Sequence, residues 1–275
     1  VPRVGYSNPI GNVMGYFYLD MYPRDGKYAH AAVFPLTYGF DTTDNDYYKG
    51  NYNYPIACMA CNFPKGEPLN HGDVETYFHE FGHVMHIMCS KTKLSALSSF
   101  NVETDFVEAP SQMLEYWCYS SNALKLMSLK NGEHIPDVLI EKLKDSKKFM
   151  QGHHNKRQLL FGLLDLYYHS LKLDKKSSID VMGIYHKLEE DILKQDPIKD
   201  ISMVSSFGHL TGGYQAGYYG YLYSETCAAN MYYKMFKGKE LDKKTGMLYR
   251  TKILQQGATK DSVELIRDFL GEDVD

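Results

Sequence analysis

The sequence predicts a mainly α-helical domain with a small β-sheet at its N-terminal end. Aromatic and β-branched runs of strand character are confined to the first 63 residues, and from Asp73 onward apolar residues recur at helical spacing. No internal repeat or low-complexity linker divides the 275 residues, so residues 1–275 read as one domain.

The strand signals come first. Val13–Tyr22 (VMGYFYLDMY) reads as a strand, the turn Pro23-Arg24-Asp25-Gly26 leads into a second over Lys27–Phe34, and Tyr54–Phe63 forms a third. Between the last two, DTTDNDYYKGNYN (41–53) is a polar, exposed loop. Helices are expected near 73–90, 105–129, 137–151, 155–173, 177–194, 218–238, 245–254 and 259–270, the first with Asp73 as its N-cap. The segment SFGHLTGGYQAGYYGYLYSE (206–225) interrupts this pattern with five glycines and five tyrosines. Glycines so clustered let the backbone take positive φ and approach another chain closely.

Composition excludes several function classes. A net charge of −4 provides no basic field for nucleic acid or anionic lipid, and the lysine clusters at 142–148, 172–176 and 237–244 are interleaved with acids, as on solvated helix faces. No apolar run is long enough to span a bilayer. Five cysteines without dense spacing fit a reducing compartment, and Cys58 and Cys61, inside the strand-like YPIACMACNF, read as buried packing. The expected location is cytoplasmic. Because the chain starts without a methionine, it reads as part of a longer protein that has room for a lost targeting segment.

The chemistry concentrates in FHEFGHVMH (78–86). At about 100° per residue, His79, His83, His86 and Glu75 share one face of a helix, opposite Val84, Ile87 and Met88. Two histidines four apart bring their ring nitrogens to one cation, and Glu80 leans over its open side as a base for bound water. His86 lies too far along to join the same ion and is expected to hydrogen-bond behind the ligands. A third ligand must come from a later element, and spacing leaves Glu103, Glu108 and Glu115 open. Glu108 sits among Phe106, Val107 and Ala109, where an unpaired carboxylate is costly and a metal would compensate it. Glu115, seven residues on, reads as a supporting group, and Glu103 as a solvated helix-start acid.

Four blocks, YFYLDMYPRDGKYAHAA (16–32), VETYFHEFGHVMH (74–86), ETDFVEAPSQMLEYW (103–117) and FGHLTGGYQAGYYGYLYSE (207–225), resemble the thimet oligopeptidase and neurolysin family of zinc metallopeptidases. The resemblance implies a zincin-like metallopeptidase catalytic domain binding one Zn2+ through His79, His83 and Glu108, with Glu80 as general base. It implies His209, Tyr214 and Tyr221 as groups stabilising the tetrahedral intermediate. Gly212, Gly213, Gly217 and Tyr218 correspond to a loop over the bound peptide. It further implies short peptides as substrates and a helical N-terminal half, absent here, as the opposite wall of a channel. Gln215 and Gly217 depart from the family's usual loop residues, and Glu75 and Thr104 stand at positions that vary among relatives and bear on site preference. The leading expectation is an oligopeptidase. The alternatives are a peptidyl-dipeptidase of the same family and a catalytically weak peptide-binding fragment.

Overall fold

The computed structural model describes residues 3–7, 12–43, 51–127, 132–172, 178–198 and 201–272. Its strands are β1 (Arg3–Ser7), β2 (Val13–Asp20), β3 (Ala32–Thr37), the short antiparallel pair β4 (Phe40–Asp41) and β5 (Tyr52–Asn53), and β6 (Ile56–Ala60). The main sheet has the order β1, β2, β6, β3, with β2 parallel to β6 and the outer pairs antiparallel. β1 was not expected from the sequence. The predicted strand over Lys27–Phe34 is displaced to Ala32–Thr37, because Lys27 has a different task. Its buried ammonium donates to the Asp20 and Tyr22 carbonyls, both at 2.8 Å, and to the Cys61 carbonyl, tying the ends of β2 and β6 together.

One face of the sheet packs Phe17, Val33 and Met59 against Val84, Ile87 and Met88 of α1 (His71–Cys89). The expected strand over Tyr54–Phe63 contains Cys58 and Cys61, both free, and burial pushes the Cys61 thiol up to about 12, consistent with packing. α1 begins earlier than predicted. Asn70, not Asp73, is its N-cap: the Asn70 side chain accepts from the Asp73 amide at 2.9 Å, and the Asp73 carboxylate accepts from the Asn70 amide at 3.0 Å.

The body comprises α2 (Ala109–Glu115), α3 (Ser121–Leu124), α4 (Asp137–Lys148), α5 (Gln151–Ser170), α6 (Val181–Leu193), α7 (Gly220–Met231), α8 (Lys243–Tyr249) and α9 (Ser262–Leu270). The single helix expected over 105–129 is broken. Pro110 confines α2's start to its own first turn, a 3-10 turn follows at Tyr116–Tyr119, and extended Ser120 separates α3. α7 and α8 each run on into a π turn, Tyr232–Phe236 and Arg250–Leu254. Glu103, expected to be solvated, is exposed, but its carboxylate also accepts from the Ser262 amide at 2.9 Å, capping α9. Residues 44–50, 128–131 and 173–177, on which parts of the predicted loop and helix ends fall, lie outside the described residues.

The helices enclose two further cores, one around Met113, Met231, Ile253 and Phe269, the other around Leu160, Leu164, Phe207 and Tyr218. Glu240 braces the first of these: its carboxylate accepts from Asn122 at 2.8 Å, Tyr232 at 2.9 Å and the Gly238 amide at 3.0 Å. Burial opposes the charge, but the Glu240 backbone amide together with these donors prevails and holds the carboxyl down at about 2. A depressed carboxyl stabilises the fold above its unfolded value, about 4.3, and that contribution is lost as pH falls toward 2. Urea midpoints of the wild type should therefore drop more between pH 5 and pH 3 than those of Glu240→Gln. Parallel curves would show that this carboxylate contributes nothing to acid sensitivity.

Candidate active site

α1 carries His79 and His83 one turn apart, and α2 starts immediately after Glu108. The two helices lie close because residue 82 is glycine. A Cβ there would stand 2.6 Å from Ser111 Cα and 2.8 Å from the Pro110 carbonyl oxygen, inside any real contact. That approach delivers the Glu108 carboxylate to the histidines: Oε2 is 3.2 Å from His79 Nε2 and 3.1 Å from His83 Nε2. A tetrahedral zinc shell with bonds of about 2.0–2.1 Å has donor-to-donor edges of about 3.3 Å. The three donor atoms, all within 4.8 Å of one another, therefore fit a metal of that size.

The surrounding groups orient this set. Ser111 Oγ donates to Glu108 Oε2 at 3.1 Å, and Tyr214 donates to Glu108 Oε1 at 2.6 Å. Glu108 is 4% exposed; burial opposes its charge, yet His83 and His79 hold its pKa well below the ordinary carboxylate value. Glu115 Oε1 lies 2.7 Å from His79 Nδ1, which aims the other ring nitrogen at Glu108. Burial disfavours a charge on His79, but Glu108 and Glu115 outweigh it and raise its pKa to about 10. A metal held here would have to displace that proton. His86 does not serve as expected. It is 1% exposed, neither ring nitrogen has a partner among the described residues, and burial drives its pKa down to about 3, so it packs as a neutral ring near Phe100. Phe100, which nothing in the sequence marked, also sets its ring edge-on to His83 at 5.1 Å.

Glu80 is buried beside the pair, and burial raises its pKa. Opposite stands the glycine- and tyrosine-rich segment. Tyr214 and Tyr221 are stacked at 5.2 Å, and Tyr221 Oη lies 3.4 Å from His209 Nε2. Burial, then the Glu108 charge, raises the pKa of both tyrosines, so their hydroxyls keep their protons as donors; burial lowers that of His209. Gly212 is required where it lies, since a Cβ would stand 2.7 Å from the Gly208 carbonyl oxygen, and Gly213 has φ +104°. Gln215 accepts from the Gly213 amide at 3.1 Å, so the departure from the family residue caps the loop. Gly217 packs beside Thr104. Tyr218 lies mostly in the core, its hydroxyl donating to Gln158 at 3.0 Å, with one edge on the cleft.

Of these groups, His79, Glu80, Glu115, His209, Tyr218 and Tyr221 line an open cleft of about 1380 Å3, ample for an extended peptide. Glu75 faces it, paired with Lys147 at 2.7 Å and accepting from Tyr119 at 3.1 Å.

Comparison with known proteins decides the family. The sequence profile described as Peptidase family M3 matches residues 7–275. The chain belongs to peptidase family M3. Among curated relatives, this M3 chain is 38% identical over 268 residues to the thimet-like oligopeptidase of Dictyostelium discoideum, covering 94% of this chain and 39% of that protein. It is 37% identical over 272 residues to saccharolysin of Saccharomyces cerevisiae, covering 95% and 37% respectively. The M3 chain thus spans less than two-fifths of the length of these relatives. Its fold resembles that of Trypanosoma cruzi metallocarboxypeptidase 1, with a TM-score of 0.61 at 13% identity over 94% of this chain and 54% of that one. No helix among the described residues is long and apolar enough to cross a membrane.

Proposed function

We propose that residues 1–275 form the catalytic domain of a zinc-dependent oligopeptidase that hydrolyses short peptides, and that they supply one wall of a longer channel. The observation that carries this reading is the buried Glu108 carboxylate, set within 3.2 Å of two histidine nitrogens beside Glu80. His79, His83 and Glu108 would hold one zinc ion per chain, and that ion, when bound, supplies Lewis acidity to the scissile carbonyl and to a water. Glu80 accepts the proton of the attacking water and returns it to the departing amine. Its raised pKa suits both halves of that exchange. Tyr221, kept protonated, donates to the oxyanion that develops on the substrate, joined by Tyr214 once it exchanges its bond to Glu108 Oε1 for one to the substrate, and neutral His209 holds the Tyr221 hydroxyl in place. Gly212, Gly213 and Gly217 allow the peptide backbone to pass close to the loop, with the edge of Tyr218 beside it.

Metal analysis together with cleavage of a short quenched fluorescent peptide tests this reading. One zinc per chain, and cleavage that a chelator abolishes and added zinc restores, are the expected results. Bound zinc without cleavage by this chain would instead favour a peptide-binding fragment. One observation favours the peptidyl-dipeptidase alternative: Arg157 lines the cleft over the Phe161 ring, with no ion-pair partner among the described residues, and suits a terminal carboxylate. Successive release of C-terminal dipeptides would establish that activity.

A further inference from the structure

Asp165 is a fully buried carboxylate on α5, 0% exposed, that the reaction proposed above does not use. It faces the back of the tyrosine-bearing segment. Its Oδ1 accepts from the Ala216 amide at 3.1 Å and its Oδ2 from the Tyr218 amide at 2.9 Å. One turn along the same helix, His169 Nδ1 lies 2.8 Å from Asp165 Oδ1 and 2.9 Å from the Asp165 carbonyl oxygen. The carboxylate therefore bridges two residues of the loop and is backed by a partly exposed imidazole.

What it grips is a strained stretch. Ala216 has φ +56°, the left-handed region that an alanine seldom occupies, three residues after Gly213 at φ +104°. Ala216 stands two residues after Tyr214, which donates to Glu108, and Tyr218 stands three before Tyr221, which faces His209. Backbone bonds brace both tyrosines: the Gly217 amide donates to the Tyr214 carbonyl at 2.8 Å, and the Tyr221 amide to the Tyr218 carbonyl at 3.2 Å. A shift at 216 or 218 is passed on to both hydroxyls. Glycine at 162, where a Cβ would stand 3.3 Å from Tyr219 Cα, lets α5 approach closely enough for this grip.

We propose that Asp165 is a positioning residue that holds Ala216 in its left-handed conformation and so places the Tyr214 and Tyr221 hydroxyls over the metal-ligand set. The proposal rests on the peptidase reading for its kinetic consequence, but not for its structural one. Asp165→Asn keeps the shape while turning an N–H toward one of the two amides it must accept.

Two readouts on the 275-residue chain test the proposal. By hydrogen exchange, Asp165→Asn should exchange the 212–220 segment at least about ten-fold faster while leaving α1 protected as in the wild type. In peptide cleavage, kcat should fall about 10- to 100-fold with KM and zinc content little changed, the signature of misplaced donors. Adding Ala216→Gly, which removes the need to force an alanine into that conformation, should recover part of the lost kcat and not the exchange protection. His169→Gln should give a smaller change in the same direction. Unchanged exchange at 212–220 in Asp165→Asn overturns the proposal, as does loss of protection throughout α1, which would make Asp165 a general stability residue. If the wild type cleaves no peptide, the peptidase reading fails while the exchange arm still decides the grip.

Discussion

Glu80→Gln should retain its metal and lose peptide cleavage by about three orders of magnitude, the middle of the range for removing a general base. Glu80 lies on the helix face next to the ligands yet does not belong to the set whose donor atoms converge. Glutamine has the same shape, so neither α1 nor the approach of Glu108 should change. The carboxylate, however, is a better base than an exposed one, because its burial has raised its pKa. An amide cannot take that proton. Steady-state cleavage and metal content measured on the same preparation separate the possibilities. Unimpaired cleavage would place the base elsewhere, and a metal-free variant would make Glu80 a ligand.

Gly82→Ala should lose its metal through geometry alone. The new methyl would meet Ser111 Cα and the Pro110 carbonyl, and neither can rotate aside because both are backbone. α2 must move outward, and Glu108, three residues before Ser111, moves with it. Overpacking of this kind costs about 1–3 kcal/mol of stability, and a ligand displaced by a fraction of an ångström no longer closes the shell. The expected results are a lowered melting temperature, metal occupancy well below one per chain at micromolar zinc, and loss of cleavage to match. Gly246→Ala, where a Cβ would meet nothing within 4 Å, should keep all three near wild type. If Gly82→Ala bound metal as tightly as the wild type, the close packing of α1 on α2 would not be what sets the site.

Much of this was legible in the one-dimensional pattern because its causes are local. The spacing of His79 and His83 is a property of one helix, so it can be read without knowing what lies opposite. The apolar neighbours of Glu108 and the position of Glu115 pointed toward the same helix face, and both carboxylates lie against the histidines. The small sheet and the helical body followed from a change of period. Where local reading failed, a distant partner had intervened. Lys27 left its expected strand for three carbonyls at and just beyond the ends of β2 and β6, and His86, polar on a helical wheel, was enclosed with Phe100.

The amino-acid order by itself determined the chemical inventory: two imidazoles and a base on one helix, an acid in an apolar setting, and tyrosines among glycines. Tertiary structure alone decided how these meet. The parallel pairing of β2 with β6, the glycine-to-backbone approach at Gly82, and the grip of Asp165 on Ala216 and Tyr218 each join residues far apart in the chain. Periodicity and propensity describe what a segment does with its own neighbours. Which buried carboxylate faces which amide depends on the packing of the whole molecule, and no single segment contains that information.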